Sequence, residues 1–324
     1  MLFYKNLEDI VFHRHKMFEG IDEMIILSGY LGPHPIKKLE QLPFKCKIIY
    51  GMYGVERIKN RLHSTLKILN SEIKNIDILY SKIAVHSKCY VWKKKGNIVT
   101  ALVGSANFSR NGLDTPYREI LAETTYDTFN PLNEYLDYII DNSLLCTDDN
   151  IELRKSNQLS LDEKIKSDIC KISFLVKGDV PKSSGINWGC SSGHTSEGDA
   201  YIKISTQCLK EYPNLFPPKR EAPTKKVKGA RCFRQNDEVE FIFDDGTIMS
   251  GILEGNGVSI DGKVYPKQMC SSPKKNILGK YLRKRMGLSN DKVITVEDFK
   301  RYGRSDIEVS LLSEGVYFLN FSTK

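Results

Sequence analysis

His86 and Lys88 stand one residue apart in a β-type run, and Gly104, Ser105 and Asn107 follow at the end of the next apolar run, residues 97–103. A strand puts residues i and i+2 on one face, so the imidazole and the ammonium are expected to point the same way, with Ser87 and Cys89 opposed. Two adjacent strands would then gather an imidazole, an ammonium, a hydroxyl and a carboxamide. That set suits a phosphodiester, an anion whose attacker must be accompanied by positive charge and hydrogen-bond donors. Lys88 supplies charge, Asn107 and Ser105 supply donors, and His86 as a neutral imidazole can attack phosphorus to give a phosphohistidine that water resolves. Ser105 has a plainer alternative, shaping the turn. Glu119, in a run expected to be a strand over 117–123, can hold one imidazole nitrogen and fix its tautomer. Glu123 competes for that role, and the spacing favours Glu119.

In this order, His86-x-Lys88, Gly104-Ser105-x-Asn107 and Glu119 resemble one copy of the phospholipase D superfamily signature, over about residues 20–145. The family often has an Asp five residues after its Lys, where this chain has Lys93. The resemblance implies an α/β sandwich, a mixed sheet with helices on both faces. One signature per chain is half of what a two-histidine reaction needs, one imidazole to attack and one to protonate the leaving oxygen. A homodimer through the N-terminal domain, with two copies of His86 meeting in one site, is therefore expected.

The elements that must position these residues are legible in the pattern. Short apolar runs at 24–28, 46–50 and 76–80 read as buried strands, and 35–42, 57–69 and 131–140 have helical spacing. Strands alternating with helices predict a mixed, two-sided sheet for residues 1–145. Residues 146–168 are polar without a sustained apolar period and are expected to be a linker. From 169 to 324 short strands at 172–176, 200–204, 238–243 and 248–253 are separated by Gly and Asp turns, with Asp244-Asp245-Gly246 a hairpin signal. This predicts a mainly-β barrel or sandwich. A short basic helix is expected over 277–285, and Thr295-Val-Glu-Asp298 is an imperfect capping box.

Charge divides the same way. Residues 1–150 hold 19 lysines and arginines against 18 acidic residues, and residues 151–324 hold 29 against 22. Nearly all of the net charge of +8 lies in the second half, which suits a catalytic module joined to one that binds a polyanion. A basic but unoccupied surface is the bland alternative.

The second half also has a resemblance. Ser184-Gly-Ile-Asn-Trp-Gly189, the Asp-Asp-Gly hairpin, residues 299–306 and the ending 315–321 resemble the C-terminal region of phospholipase-D-type restriction endonucleases, the BfiI and NgoFVII group. The resemblance implies a DNA-binding pseudobarrel, akin to that of plant auxin-response factors, which grips the major groove with two arms. One arm would be residues 182–194, with Lys182, Ser184, Asn187, Trp188 and His194. The other would lie around 261–268, with Lys263 and Lys267. Asn187 and Trp188 could instead pack on the barrel. The basic stretch from Lys219 to Arg231 reads as a loop brushing phosphates, not bases.

The expected function is a sequence-specific, metal-independent restriction endonuclease acting on double-stranded DNA. The alternative is a DNA-binding protein whose nuclease module is idle alone or needs a helicase-type ATPase partner. No cofactor and no metal are expected: His13-Arg-His15 and Cys190-x-x-x-His194 are isolated pairs, and Asp162-Glu-Lys164 lacks a partner carboxylate. No Walker-type loop is present. No apolar run reaches the length of a membrane helix, and the start lacks a secretory pattern. Eight cysteines without clustering suggest a reduced, cytoplasmic protein.

Overall fold

The structure, a computed structural model, describes residues 1–154, 169–191, 193, 195–220 and 235–323. The chain divides into two compact units, one containing residues 1–158 and the other most of 159–324.

The first unit is one sheet. Its strands are β1 (Leu2–Phe3), β2 (Glu23–Ser28), β3 (Lys45–Tyr50), β4 (Ile76–Ser81), β5 (Lys88–Lys94), β6 (Asn97–Gly104), β7 (Leu121–Glu123) and β8 (Ser143–Leu145), in the order β1-β7-β6-β5-β2-β3-β4-β8. The central trio β2, β3 and β4 is parallel, and β5 runs antiparallel to both β2 and β6. Met24, Ile25, Ile26 and Leu27 are all fully buried, as a strand covered on both faces requires. One face packs on Leu136 and Ile139 of the helix Phe129–Asp141. The helix Asn60–Glu72 buries Leu62, Leu66 and Leu69. This is the expected mixed, two-sided sheet.

Two expectations change in this unit. The strand predicted over 117–123 survives only as β7, because Tyr117 takes a positive φ of 57° and residues 116–118 turn. The predicted linker starts too early. The Cys146 amide donates to the Ile78 carbonyl (2.8 Å), Arg154 does so to Ile58 (2.8 Å), and the Glu152 amide bonds the Tyr53 hydroxyl. Residues 146–154 therefore belong to the first unit. The rest of the predicted linker, 155–168, with Asp162 and Lys164, lies outside the described residues.

The second unit is a nearly closed barrel. Its strands are β9 (Ile169–Ser173), β10 (Ile202–Lys203), β11 (Asp237–Phe243), β12 (Ile248–Ile260), β13 (Lys263–Ser271), β14 (Asp306–Ser313) and β15 (Val316–Asn320), ordered β10-β13-β12-β11-β15-β14-β9. Phe241, Phe243, Tyr317, Leu319 and Phe321 fill the interior with Leu278 and Leu282 of the basic helix Asn276–Arg285. The Asp244-Asp245-Gly246 turn joins β11 to β12, with Gly246 at φ 86°. The capping box is complete: Thr295 accepts from the Asp298 amide, and Asp298 accepts from the Thr295 amide.

β12 is twice as long as its apolar core predicts. Its pairing with β13 resumes past an irregularity between Asn256 and Ser259, beside the glycines at 255 and 257. The expectation that all cysteines are free also fails. The helix Thr206–Glu211 follows β10 at one end of the sheet order and touches β9 at the other. That closure brings Cys170 and Cys208 to a Cα separation of 6.3 Å, and they form a disulfide. Nothing in a 38-residue spacing foretells such a pair.

Candidate active site

β5 and β6 pair with Lys88 opposite Gly104, which sets the two motifs side by side as their strand assignment required. His86 lies just before β5 and is exposed, whereas Lys88, the first residue of the strand, is only 4% exposed. The Lys88 Nζ sits 3.1 Å from Nδ1 and 3.2 Å from Nε2 of His86, and it donates to the His86 carbonyl at 2.5 Å. An ammonium can only donate, so a ring nitrogen facing it offers its lone pair. Burial lowers the Lys88 pKa from the usual lysine value, and the Glu119 carboxylate opposes that shift.

Asn107 is buried beside them. Its Oδ1 accepts the Tyr30 amide at 3.1 Å and lies 3.3 Å from the Ser28 hydroxyl. Ser105 is exposed at the end of β6. Its hydroxyl accepts the Ile120 amide at 3.1 Å and its own amide donates to the Ile120 carbonyl, so the side chain fastens the approach to β7. Glu119 is half-buried and pairs with Arg118 at 3.3 Å, not with the His86 ring. Glu123 is committed to the Arg14 guanidinium, and the Glu119 carboxylate acts on Lys88 electrostatically. Ser87 points away as expected and bonds the Tyr135 hydroxyl at 2.7 Å.

Three residues near this cluster escaped the motif reading. The Tyr30 ring meets the His86 ring edge-on at 6.0 Å, with its hydroxyl donating to Glu56 at 2.7 Å. Ser28 is fully buried against Asn107, and Gly29 lies beneath all three chemical groups. The only sequence signal was a polar-Gly-aromatic run at the C-terminal end of a parallel strand.

The second unit places its candidates unevenly. Lys182, Lys263 and Lys267 are exposed, Ser184 is half-buried where the 3-10 turn Gly185–Cys190 begins, and His194 lies outside the described residues. Trp188 is half-buried, packed edge-on against Tyr201 with the Lys275 ammonium 5.2 Å over its ring. Lys219 is buried and held by Asn236 and the Gly255 carbonyl, while the rest of its basic stretch from 221 is not described.

Asn187 departs from the arm expectation. It is fully buried, its Nδ2 donates to the carbonyls of Pro181 (3.1 Å) and Ile294 (2.8 Å), and its Oδ1 accepts from the Ile294 amide (2.8 Å) and the buried Arg283 (3.2 Å). With its amide wholly engaged, Asn187 clamps the domain and faces no groove. Replacing it with Ala strands several buried polar groups. Asn187→Ala is expected to lose about 2–4 kcal/mol of stability. A lowered melting midpoint with unchanged DNA affinity below it would agree; normal stability with lost affinity would restore the contact role.

Two family matches span the chain. A family described as "NgoFVII restriction endonuclease N-terminal PLD domain" matches residues 5–153, and "NgoFVII C-terminal B3-like DNA-binding domain" matches residues 140–313. Among solved structures, NucT from Helicobacter pylori is 17% identical, covers 45% of this chain and 97% of its own, and has a TM-score of 0.33. A polyphosphate kinase from Porphyromonas gingivalis is 10% identical, covers 48% of this chain and 26% of its own, and has a TM-score of 0.30. No curated protein sequence matches. Among the described residues, no helix is long and apolar enough to cross a membrane.

Proposed function

The chain belongs to the NgoFVII restriction endonuclease family, and from that premise we propose that His86 attacks a DNA phosphodiester directly, without a divalent ion, in a site completed by a second copy of the chain. One observation carries the reading: an exposed imidazole faces a buried ammonium at 3.1 Å, with the Asn107 carboxamide beside them. Lys88 and Asn107 hold the non-bridging oxygens, and Glu119 favours the charged form of Lys88 against its burial. The lone pair of His86 forms a bond to phosphorus as the bond to the leaving sugar oxygen breaks. The His86 of the other copy gives that oxygen its proton, then takes one from the water that cleaves the phosphohistidine. Ser105 serves as a turn fastener here.

The B3-like unit brings the site to its sequence on double-stranded DNA, with Lys182, Lys263 and Lys267 on phosphates and Trp188 beside them. The charge balance of the two halves supports this division of labour. The positive charge that faces the His86 ring is that of Lys88. Digestion of mixed-sequence DNA in excess EDTA is the test. The cutting rate is expected to stay within about twofold of that with magnesium, and a requirement for the added ion would end the proposal.

A further inference from the structure

We infer that the turn Ser28-Gly29-Tyr30, leaving the C-terminal end of β2, is the rear wall of the phosphoryl pocket: it aims the Asn107 carboxamide, and its glycine lets the imidazole, the ammonium and the carboxamide close onto the backbone. The inference rests on the catalytic reading of His86, Lys88 and Asn107 given above.

The amide orientation comes first. A backbone N–H can only donate, so the Asn107 atom 3.1 Å from the Tyr30 nitrogen must be the carbonyl oxygen. That contact settles an assignment that is otherwise ambiguous for any asparagine. The NH2 group is thereby turned to the other side, as a donor for an anionic oxygen.

Ser28 holds this arrangement in place. Its hydroxyl donates to the Tyr30 carbonyl at 2.6 Å, accepts the Phe108 amide at 2.9 Å and lies 3.3 Å from the Asn107 oxygen. One buried oxygen thus ties the turn after β2 to Asn107 and Phe108. The turn is fixed from the other side too, since Gly51 donates to the Ser28 carbonyl and Met52 to that of Gly29.

Gly29 supplies the close approach. A Cβ added there would lie 3.0 Å from His86 Cδ2, 3.3 Å from Lys88 Nζ and 3.4 Å from Asn107 Oδ1. The three groups that would handle a phosphoryl centre are therefore packed directly over its Cα. Its φ lies outside the left-handed region, so an alanine could adopt this backbone without strain. What the position needs from glycine is the missing methyl. Overfilling a fitted site costs affinity because neighbours must move.

Orthovanadate, a phosphate-like oxyanion, tests this on the full-length chain by vanadium NMR titration, independently of turnover. Gly29→Ala is expected to weaken vanadate binding about tenfold or more with the melting curve unchanged. Ser28→Ala is expected to weaken it about fivefold in the native background but less than about twofold beside Asn107→Ala, since the two act as one unit. If Ser28→Ala does not fold, Ser28→Cys takes its place in the cycle. Native vanadate affinity in Gly29→Ala, or an equal Ser28→Ala penalty with and without Asn107, would overturn the inference. Failure of the catalytic reading looks different: the native chain then binds no vanadate, or His86→Ala still cuts DNA.

Discussion

His86→Ala abolishes cutting, with activity expected to fall at least about ten-thousandfold, while affinity for DNA stays close to native. The size of the loss follows from the chemistry. A general base deleted from a site leaves water and the remaining donors to carry a residual reaction; a deleted nucleophile removes the covalent intermediate, so both steps of the pathway disappear. In a site made by two copies the substitution also removes the acid that protonates the leaving oxygen. Lys88→Met is the instructive contrast, because it keeps both imidazoles and removes only charge next to the phosphoryl oxygens. Affinity is insulated because the basic B3-like unit supplies most of the phosphate neutralisation. The measurements are cleavage of supercoiled DNA and a gel-shift titration on the same preparations. Cutting by His86→Ala at even a tenth of the native rate would dismiss the imidazole as attacker.

How much of this was readable in the chain depends on how local each feature is. His86, Lys88, Gly104 and Asn107 could be found because each motif is short and the hairpin joining β5 to β6 is sequence-local, so register followed from strand alternation. Ser28 and Gly29 could not. Their role exists only because β2 lies against β5 with Leu27 opposite Cys89, a pairing across some sixty residues that no periodicity encodes. The same holds for Asn187, whose polar type and Gly-rich setting suggest an exposed loop. Its burial depends on Ile294 and Arg283, which reach it from more than ninety residues away. Glu119 was singled out on spacing for the imidazole, yet the positive φ of Tyr117 ends the strand and leaves the carboxylate beside Arg118, acting on Lys88 through space. Alternation predicts elements and local chemistry well. It is silent on which distant residues close a barrel or line a pocket, as Cys170 and Cys208 show.

A heterodimer carrying one native copy and one His86→Ala copy separates a shared site from two independent ones. Co-expression with two different tags and sequential purification isolates that species. If each chain cut on its own, the heterodimer would retain about half the native activity. If the two imidazoles serve one phosphodiester, the surviving histidine can attack with no acid to protonate the leaving sugar oxygen, or donate with nothing to attack. Either arrangement stalls, and activity is expected to fall below about a thousandth of native. The exposure of His86 is what makes the shared arrangement possible, since a second copy can approach the ring while Lys88 and Asn107 stay buried behind it. A half-active heterodimer, or a native protein that cuts at full rate as a monomer, would leave the attack by His86 standing but force the proton donor to be sought within one chain. There Tyr30 is the side chain whose ring already touches the imidazole. Burial and the Glu56 carboxylate push its phenol pKa up to about 12, so it would stay protonated and able to donate across the neutral range.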